Sequence, residues 1–341
     1  MTSCGWLAVA SSPTKRSPST STSHCRTSAT NEGYIPDMSS ISRYSRSLSL
    51  FLATTMAIIL PMTFGGAVMA DAANTSVAMT NPGPMAVTST GVLYVASGQE
   101  LFRLDGRTFT PVARAARVIR CAVASSDGSI FIGETGILQR VMPDGAISTV
   151  IHVGLTGVGQ GPHGSIYVVT NGMIDRLVGR RLVPVIRAAQ FVGLARVPSN
   201  PSEIGFANVA IDASGTTYIT AGGVGNSLFE VTSRGRARYL SPARSAHGIP
   251  SSLTTGSDGR VFLGVQNAIL WVSQGRIGVY LSFSEGAVKG FSGTFAPSYV
   301  AASPYPRSPL YADATGNGFS NDRGVIAIYP DHSIAVLWVH R

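Results

Sequence analysis

The chain has 341 residues and a formal charge of +9, with 26 Lys and Arg against 17 Asp and Glu. Charged residues are only 13% while Gly reaches 38, which excludes a charge-rich disordered polymer for the bulk of the chain and points to a turn-rich β protein. The three cysteines, Cys4, Cys25 and Cys121, exclude a disulfide scaffold, because only Cys121 lies beyond residue 70.

Residues 1–37 are rich in Ser and Thr, lack apolar periodicity and read as a disordered extension. Met38 opens MSSISRYSRS, a basic n-region of ordinary length, so translation from Met38 would leave 1–37 outside the protein. The stretch 38–72 then reads as a secretory signal or a membrane anchor. Arg43 and Arg46 precede an uncharged run from Leu48 to Ala70, and small residues around Ala70 offer cleavage contexts. Pro61 and the Gly65-Gly66 pair interrupt the run, which favours a cleaved signal over a retained span. Either outcome makes the remainder secreted or extracytoplasmic and limits membrane contact to 48–70. Residues 73–82 form a linker, or a latch strand through TSVAMT at 75–80.

A repeat fills 83–341. A Gly turn is followed three residues later by an aromatic: Gly91 and Tyr94, Gly128 and Phe131, Gly164 and Tyr167, Gly215 and Tyr218, Gly259 and Phe262. A sixth copy, YPRSPLYAD, keeps Tyr311 but has a Pro-containing turn. The aromatics are 37, 36, 51, 44 and 49 residues apart, a spacing that belongs to propellers or solenoids. Within each copy the Gly supplies the positive φ of a tight hairpin, and the following strand buries its aromatic. A second turn follows at Gly106, Gly145, Gly179, Gly235, Gly275 and Asp331-His332. Each copy thus reads as four antiparallel strands, as in CAVAS, SIFIG, ILQRV and ISTVI. One such sheet cannot bury both faces; six in a ring can, so the expected fold is an all-β, six-bladed β-propeller.

These units, DGSIFIGETGILQRVMPDGAISTV above all, resemble NHL repeats and the blades of virginiamycin B lyase-like and gluconolactonase-like propellers. The resemblance covers about 83–340. It implies the fold, and it leaves activity open because this superfold hosts binding modules and enzymes alike.

The topology assigns the first and second tight turns to one face. The other face carries the B–C loops and the connections between blades, including 187–208, 240–250 and 282–297, and this is where binding groups belong. Polar groups expected there are Glu100, Asn226, Gln266, Asn267, Asn317, Asn321 and Asp322, as ligand-binding residues. Gluconolactonase-like enzymes hold a metal with a Glu, Asn and Asp set. The resemblance makes Glu134, Asn171 and Asp313 the analogues by loop position, for Ca²⁺ or another divalent cation. No Asn-Asp or Asn-Gly pair stands where those motifs need one, other than Asn171-Gly172 after a B strand, and the chain lacks the His-x-Glu pair of virginiamycin B lyase-like catalysis. His247, in the connection SARSAHGIPS, is the one histidine placed to act as a general base. Cys121 reads as a small buried residue and the B-strand aromatics as core.

The basic surplus is +6 once the five basic and two acidic residues of 1–70 are set aside. No basic run interleaves with aromatics, so nucleic acid is not an expected partner. A complete repeat set without a complete catalytic set points to a monomeric binding or scaffolding module for a protein, peptide or glycan. The alternative is a metal-dependent lactonase or hydrolase, or a lyase, working at the central channel.

Overall fold

A computed structural model of the chain describes residues 78–194, 197–222, 227–240, 252–265, 267–283, 297–303, 308–315 and 323–340. All described residues lie in one unit, Asp71–Arg341. The apolar run 48–70 is outside them, and no described helix is long and apolar enough to cross a membrane.

The recurring turn explains why the strands begin where they do. In seven places among the described residues one pattern recurs: the first residue's N–H donates to the fifth residue's carbonyl, and the fourth residue's N–H donates back to the first. These turns start at Thr88, Ser125, Met142, Asp212, Thr232, Gly256 and Tyr329. In six of them the fourth residue is Gly with φ between 76° and 91°. That is a type I turn closed by a glycine bulge, and an L side chain at the fourth position is strained. His332 occupies that position in the seventh, at φ 66°. Asp127, Asp144, Asp258 and Asp331, each just before the fourth residue of such a turn, accept a backbone N–H two residues on, at 3.0 Å in every case.

Six four-stranded antiparallel sheets result, each from contiguous sequence. Blade 1 holds β1 (Met85–Val87), β2 (Leu93–Ser97), β3 (Glu100–Asp105) and β4 (Thr108–Arg114). Blade 2 holds β5 (Cys121–Ala124), β6 (Ile130–Glu134), β7 (Ile137–Val141) and β8 (Ile147–His152). Blade 3 holds β9 (Gly157–Gln160), β10 (Ile166–Thr170), β11 (Met173–Val178) and β12 (Arg181–Arg187). Blade 4 holds β13 (Gly205–Ile211), β14 (Thr217–Gly222), β15 (Ser227–Val231) and β16 (Ala237–Leu240). Blade 5 holds β17 (Ser252–Thr255), β18 (Val261–Val265), β19 (Ala268–Ser273) and β20 (Arg276–Ser282). Blade 6 holds β21 (Val300–Ala302), β22 (Leu310–Thr315), β23 (Arg323–Ile328) and β24 (Ile334–His340).

The innermost strands β1, β5, β9, β13, β17 and β21 neighbour one another in turn, and β21 returns to β1, so the ring closes. Burial follows the same order, with one apolar cluster in each gap between blades. The repeated aromatics lie in these gaps: Tyr94, Phe131, Tyr218 and Phe262 are buried, and Tyr167 and Tyr311 half-buried. Among the described residues no strand is exchanged between blades. The described part of the expected latch, 78–82, is irregular. Its Met79 is buried against Met85 and Val87 of blade 1 and Ala301 and Val325 of blade 6, and apolar packing joins the two ends of the chain.

The two outermost strands of five blades share a bulge at one register position, between Leu101/Phe102, Leu138/Gln139, Ile174/Asp175, Ile269/Leu270 and Val325/Ile326. The residue left unpaired on the outer strand is Val112, Val150, Val185, Tyr280 or Leu337. A bulge raises the local twist and re-aims that side chain. Tyr280 is the one aromatic among them.

Candidate functional site: the loop rim and the channel mouth

The B–C connections are shorter than a loop-rich face requires. Strand pairing joins Ser97 to Glu100, Glu134 to Ile137, Thr170 to Met173 and Val265 to Ala268, so blades 1, 2, 3 and 5 each turn through two residues. Only blades 4 and 6 carry longer B–C segments, 223–226 and 316–322. The connection from blade 3 to blade 4 is long but committed to packing. It forms a short 3₁₀ turn, Ala188–Phe191, whose Phe191 is fully buried, and Ile204 further along is also fully buried.

Among the described residues the channel wall is made by the innermost strands. Its cavity, about 70 Å³, is lined by residues of β1, β5, β9, β13, β17 and β21, and the side chains there are Ala, Val, Leu and Met with Gln160, Thr254 and Thr255. None of these ionises. Glu134, Asn171 and Asp313 therefore start one strand outward from the channel, on B strands or the loop that follows.

Each of the three has a distinct setting. Asp313, in β22, is buried, and its Oδ1 accepts the backbone N–H groups of Ser298 at 2.7 Å and Tyr299 at 2.6 Å. That fixes the chain entering the innermost strand of blade 6. Asn171 is exposed in the two-residue turn of blade 3, with its Oδ1 beside Gly205 of blade 4. Glu134, the last residue of β6, is fully buried, and neither carboxylate oxygen has a hydrogen-bond partner. Register puts it on the sheet face shared by Ile130 and Ile132, which pack toward blade 1. Gln139 lies on the same face, diagonal to Glu134, and its buried Oε1 is also unpartnered. Buried polar atoms are ordinarily satisfied, so three orphan acceptors on one face call for a cation or water between blades 1 and 2.

Glu100 begins β3 and is paired with Arg114, Oε1 to Nη1 at 3.1 Å. Asn267 is half-buried, and its carbonyl accepts from Phe283 N–H at 2.8 Å. His247, Asn226, Gln266, Asn317, Asn321 and Asp322 lie outside the described residues. Among the described residues no three His, Cys, Asp or Glu side chains are grouped to hold a metal ion.

Two rim residues carry information that spacing did not expose. Tyr299 directly precedes the innermost strand of blade 6, where blades 1 to 4 place Pro84, Arg120, Thr156 and Ile204. Burial first, then the neighbouring Asp313 and Cys121, push its phenol pKa up. Cys121 is buried in apolar surroundings that push its thiol up to about 12, so it is a neutral packing group and not a nucleophile.

Ring, blades and rim define a six-bladed β-propeller. No protein-family model and no curated protein sequence matches the chain. Among solved structures it is similar to virginiamycin B lyase from Staphylococcus aureus, at 14% identity and TM-score 0.52 over 76% of this chain and 85% of that one. It is similar to the calcium-binding protein regucalcin from Agrobacterium tumefaciens, at 12% identity and TM-score 0.52 over 72% and 85%. A gluconolactonase from Xanthomonas campestris gives 13% identity and TM-score 0.51 over 70% and 83%. At these identities the likeness is one of fold.

Proposed function

We propose that the chain is an extracytoplasmic binding propeller, exported by or anchored through residues 48–70. Its rim, at the B–C segments of blades 4 and 6, engages a protein, peptide or glycan. The observation that carries this reading is the channel wall, whose described side chains offer no acid, base or charged ligand, while chain-length variation is concentrated on one rim. Proton transfer at the channel would need a titratable group within hydrogen-bond reach, and the innermost strands do not supply one. The test replaces 223–226 and 316–322 with two-residue Asn-Gly turns like that of blade 3. The expected result is a folded protein that no longer retains the cell-wall or membrane partner captured by the wild-type chain. Turnover of gluconolactone or virginiamycin B by the wild type, lost in Glu134→Gln, would overturn the reading.

A second reading has its own support. The fully buried, unpartnered carboxylate of Glu134 and the orphan Oε1 of Gln139 form an all-oxygen set on one face, which suits a hard cation such as Ca²⁺. The ion would then hold blades 1 and 2 together from within, one strand away from the channel.

A further inference from the structure

On the tight-turn face, opposite the rim, blades 5 and 6 part around a cleft of about 540 Å³. This lies within the ~300–1,000 Å³ typical of small-ligand sites. The sequence irregularity of the sixth copy accounts for its place. The first turn of blade 5 is the five-residue type, 256–260, whereas blade 6 takes 303–309 to connect β21 to β22. The ends of that longer connection, Ser303 and Ser308 to Leu310, line the opening.

The floor and walls are aromatic, and each ring is set by a local device. Trp271 pairs across the sheet with Phe262 on one side and Gly278 on the other. A Cβ at Gly278 would stand 2.5 Å from the Trp271 indole, so glycine lets the indole lie flat across β20. Tyr280 is the bulged residue of β20, which aims its ring into the cleft, 5.0 Å from the His332 ring of blade 6. Polar groups gather at the edge. Asp258 Oδ1 accepts the backbone N–H of Arg260 at 3.0 Å, and its Oδ2 pairs with the Arg260 guanidinium. That guanidinium lies 5.5 Å from the Phe262 centroid and 6.0 Å from that of Trp271. Among the described residues neither the Trp271 indole N–H nor the Tyr280 hydroxyl has a hydrogen-bond partner.

From this arrangement we infer that the cleft between blades 5 and 6 is a saccharide-binding site that takes a neutral pyranose unit of a glycan. A pyranose presents a face of polarised C–H bonds, which suits the electron-rich face of a flat indole. Its ring of hydroxyls needs fixed donors and acceptors at the platform's edge. The Asp258–Arg260 pair, the indole N–H and the phenol supply both kinds. Competing ligand classes fit less well. A purely apolar ligand would desolvate the Asp258–Arg260 pair without replacing its water. An anion would meet a guanidinium whose charge Asp258 already offsets. The site sits on the face opposite the proposed partner rim, so the two readings fail independently.

Calorimetric titration of the full chain with maltohexaose, cellohexaose and chitohexaose tests it. The expected result is saturable binding of at least one sugar. Trp271→Ala should abolish it, and Asp258→Asn and Tyr280→Phe should weaken it about tenfold each. The rim variants with shortened 223–226 and 316–322 should bind as the wild type does. Tyr280→Phe removes one hydroxyl and no packing volume, so its loss of binding cannot be attributed to misfolding. Absence of binding to all three sugars at about 10 mM, well above the ~1 mM Kd of a 4 kcal/mol site, overturns the inference. So does binding that Tyr280→Phe and Trp271→Ala leave unchanged, or saturable binding of a Tyr-rich hexapeptide with none of the sugars.

Discussion

Removing the Phe191 side chain should destabilise the propeller more than any change in an exposed connection. Phe191 lies in the segment between blades 3 and 4, yet it is fully buried. Its ring meets Phe206 edge-on at 5.4 Å and Phe229 at 4.8 Å, both in blade 4, within a cluster that also holds Ile174 and Ile186 of blade 3. Phe191→Ala removes a whole ring from a packed site that two neighbouring sheets hold in place. The cost combines lost transfer energy, the cavity left behind and two aromatic contacts, about 3–5 kcal/mol in all. A domain of this size loses about 2 °C of Tm per kcal/mol. Thermal unfolding followed by far-ultraviolet circular dichroism should therefore show a fall of about 6–10 °C. Phe191→Leu should lose roughly a third of that, because most of the volume stays filled. Val192→Ala, the next and exposed residue, should change stability by less than about 0.5 kcal/mol. A fall below about 2 °C for Phe191→Ala would refute the claim that this connection is an inter-blade wedge.

Two more outcomes follow from buried polar groups. Glu134→Gln removes a fully buried, unpartnered carboxylate. In chelator-treated protein it should raise stability by about 1–3 kcal/mol, seen as a higher Tm. If Ca²⁺ occupies this place, millimolar Ca²⁺ should raise the Tm of the wild type and not of the variant; equal responses would remove the cation reading. Tyr218 is fully buried, and its hydroxyl accepts the backbone N–H of Gln274 in blade 5 at 3.2 Å. Burial first, then the nearby Glu230, push its pKa up to about 12, against about 10 in the unfolded chain. The folded state keeps this proton while the unfolded chain loses it. The resulting stability is complete below pH ~10 and is lost as pH rises toward ~12, on the order of 2 kcal/mol. Urea unfolding between pH ~9 and ~12 should show a steeper alkaline loss in the wild type than in Tyr218→Phe. Parallel pH profiles would contradict the assignment.

A good deal of this molecule was legible one blade at a time. The Gly-to-aromatic spacing located the start of each second strand, since a positive φ and a cross-strand partner are decided within about five residues. Gly128, Gly215 and Gly259 and the aromatics that follow them stand where the repeat placed them. The Asp331-His332 turn was also legible, though not that His332 would take a backbone region normally left to glycine. What sequence spacing could not express is which side of a sheet meets which neighbour, because that depends on the whole ring closing.

Ring closure moved the B-strand ends away from the channel and left its wall to the innermost strands. It turned the connection at 188–204 from a free loop into a wedge carrying Phe191 and Ile204. It set Trp271, Tyr280 and His332, from two blades and three strands or turns, around one cleft. By itself the sequence determined that there would be six small sheets and where each would turn, because backbone dihedrals and side-chain alternation are local. The tertiary structure alone decided which side chains share a surface. Burial is a property of neighbours, and in a propeller every blade's neighbours are chosen by the closure of the circle.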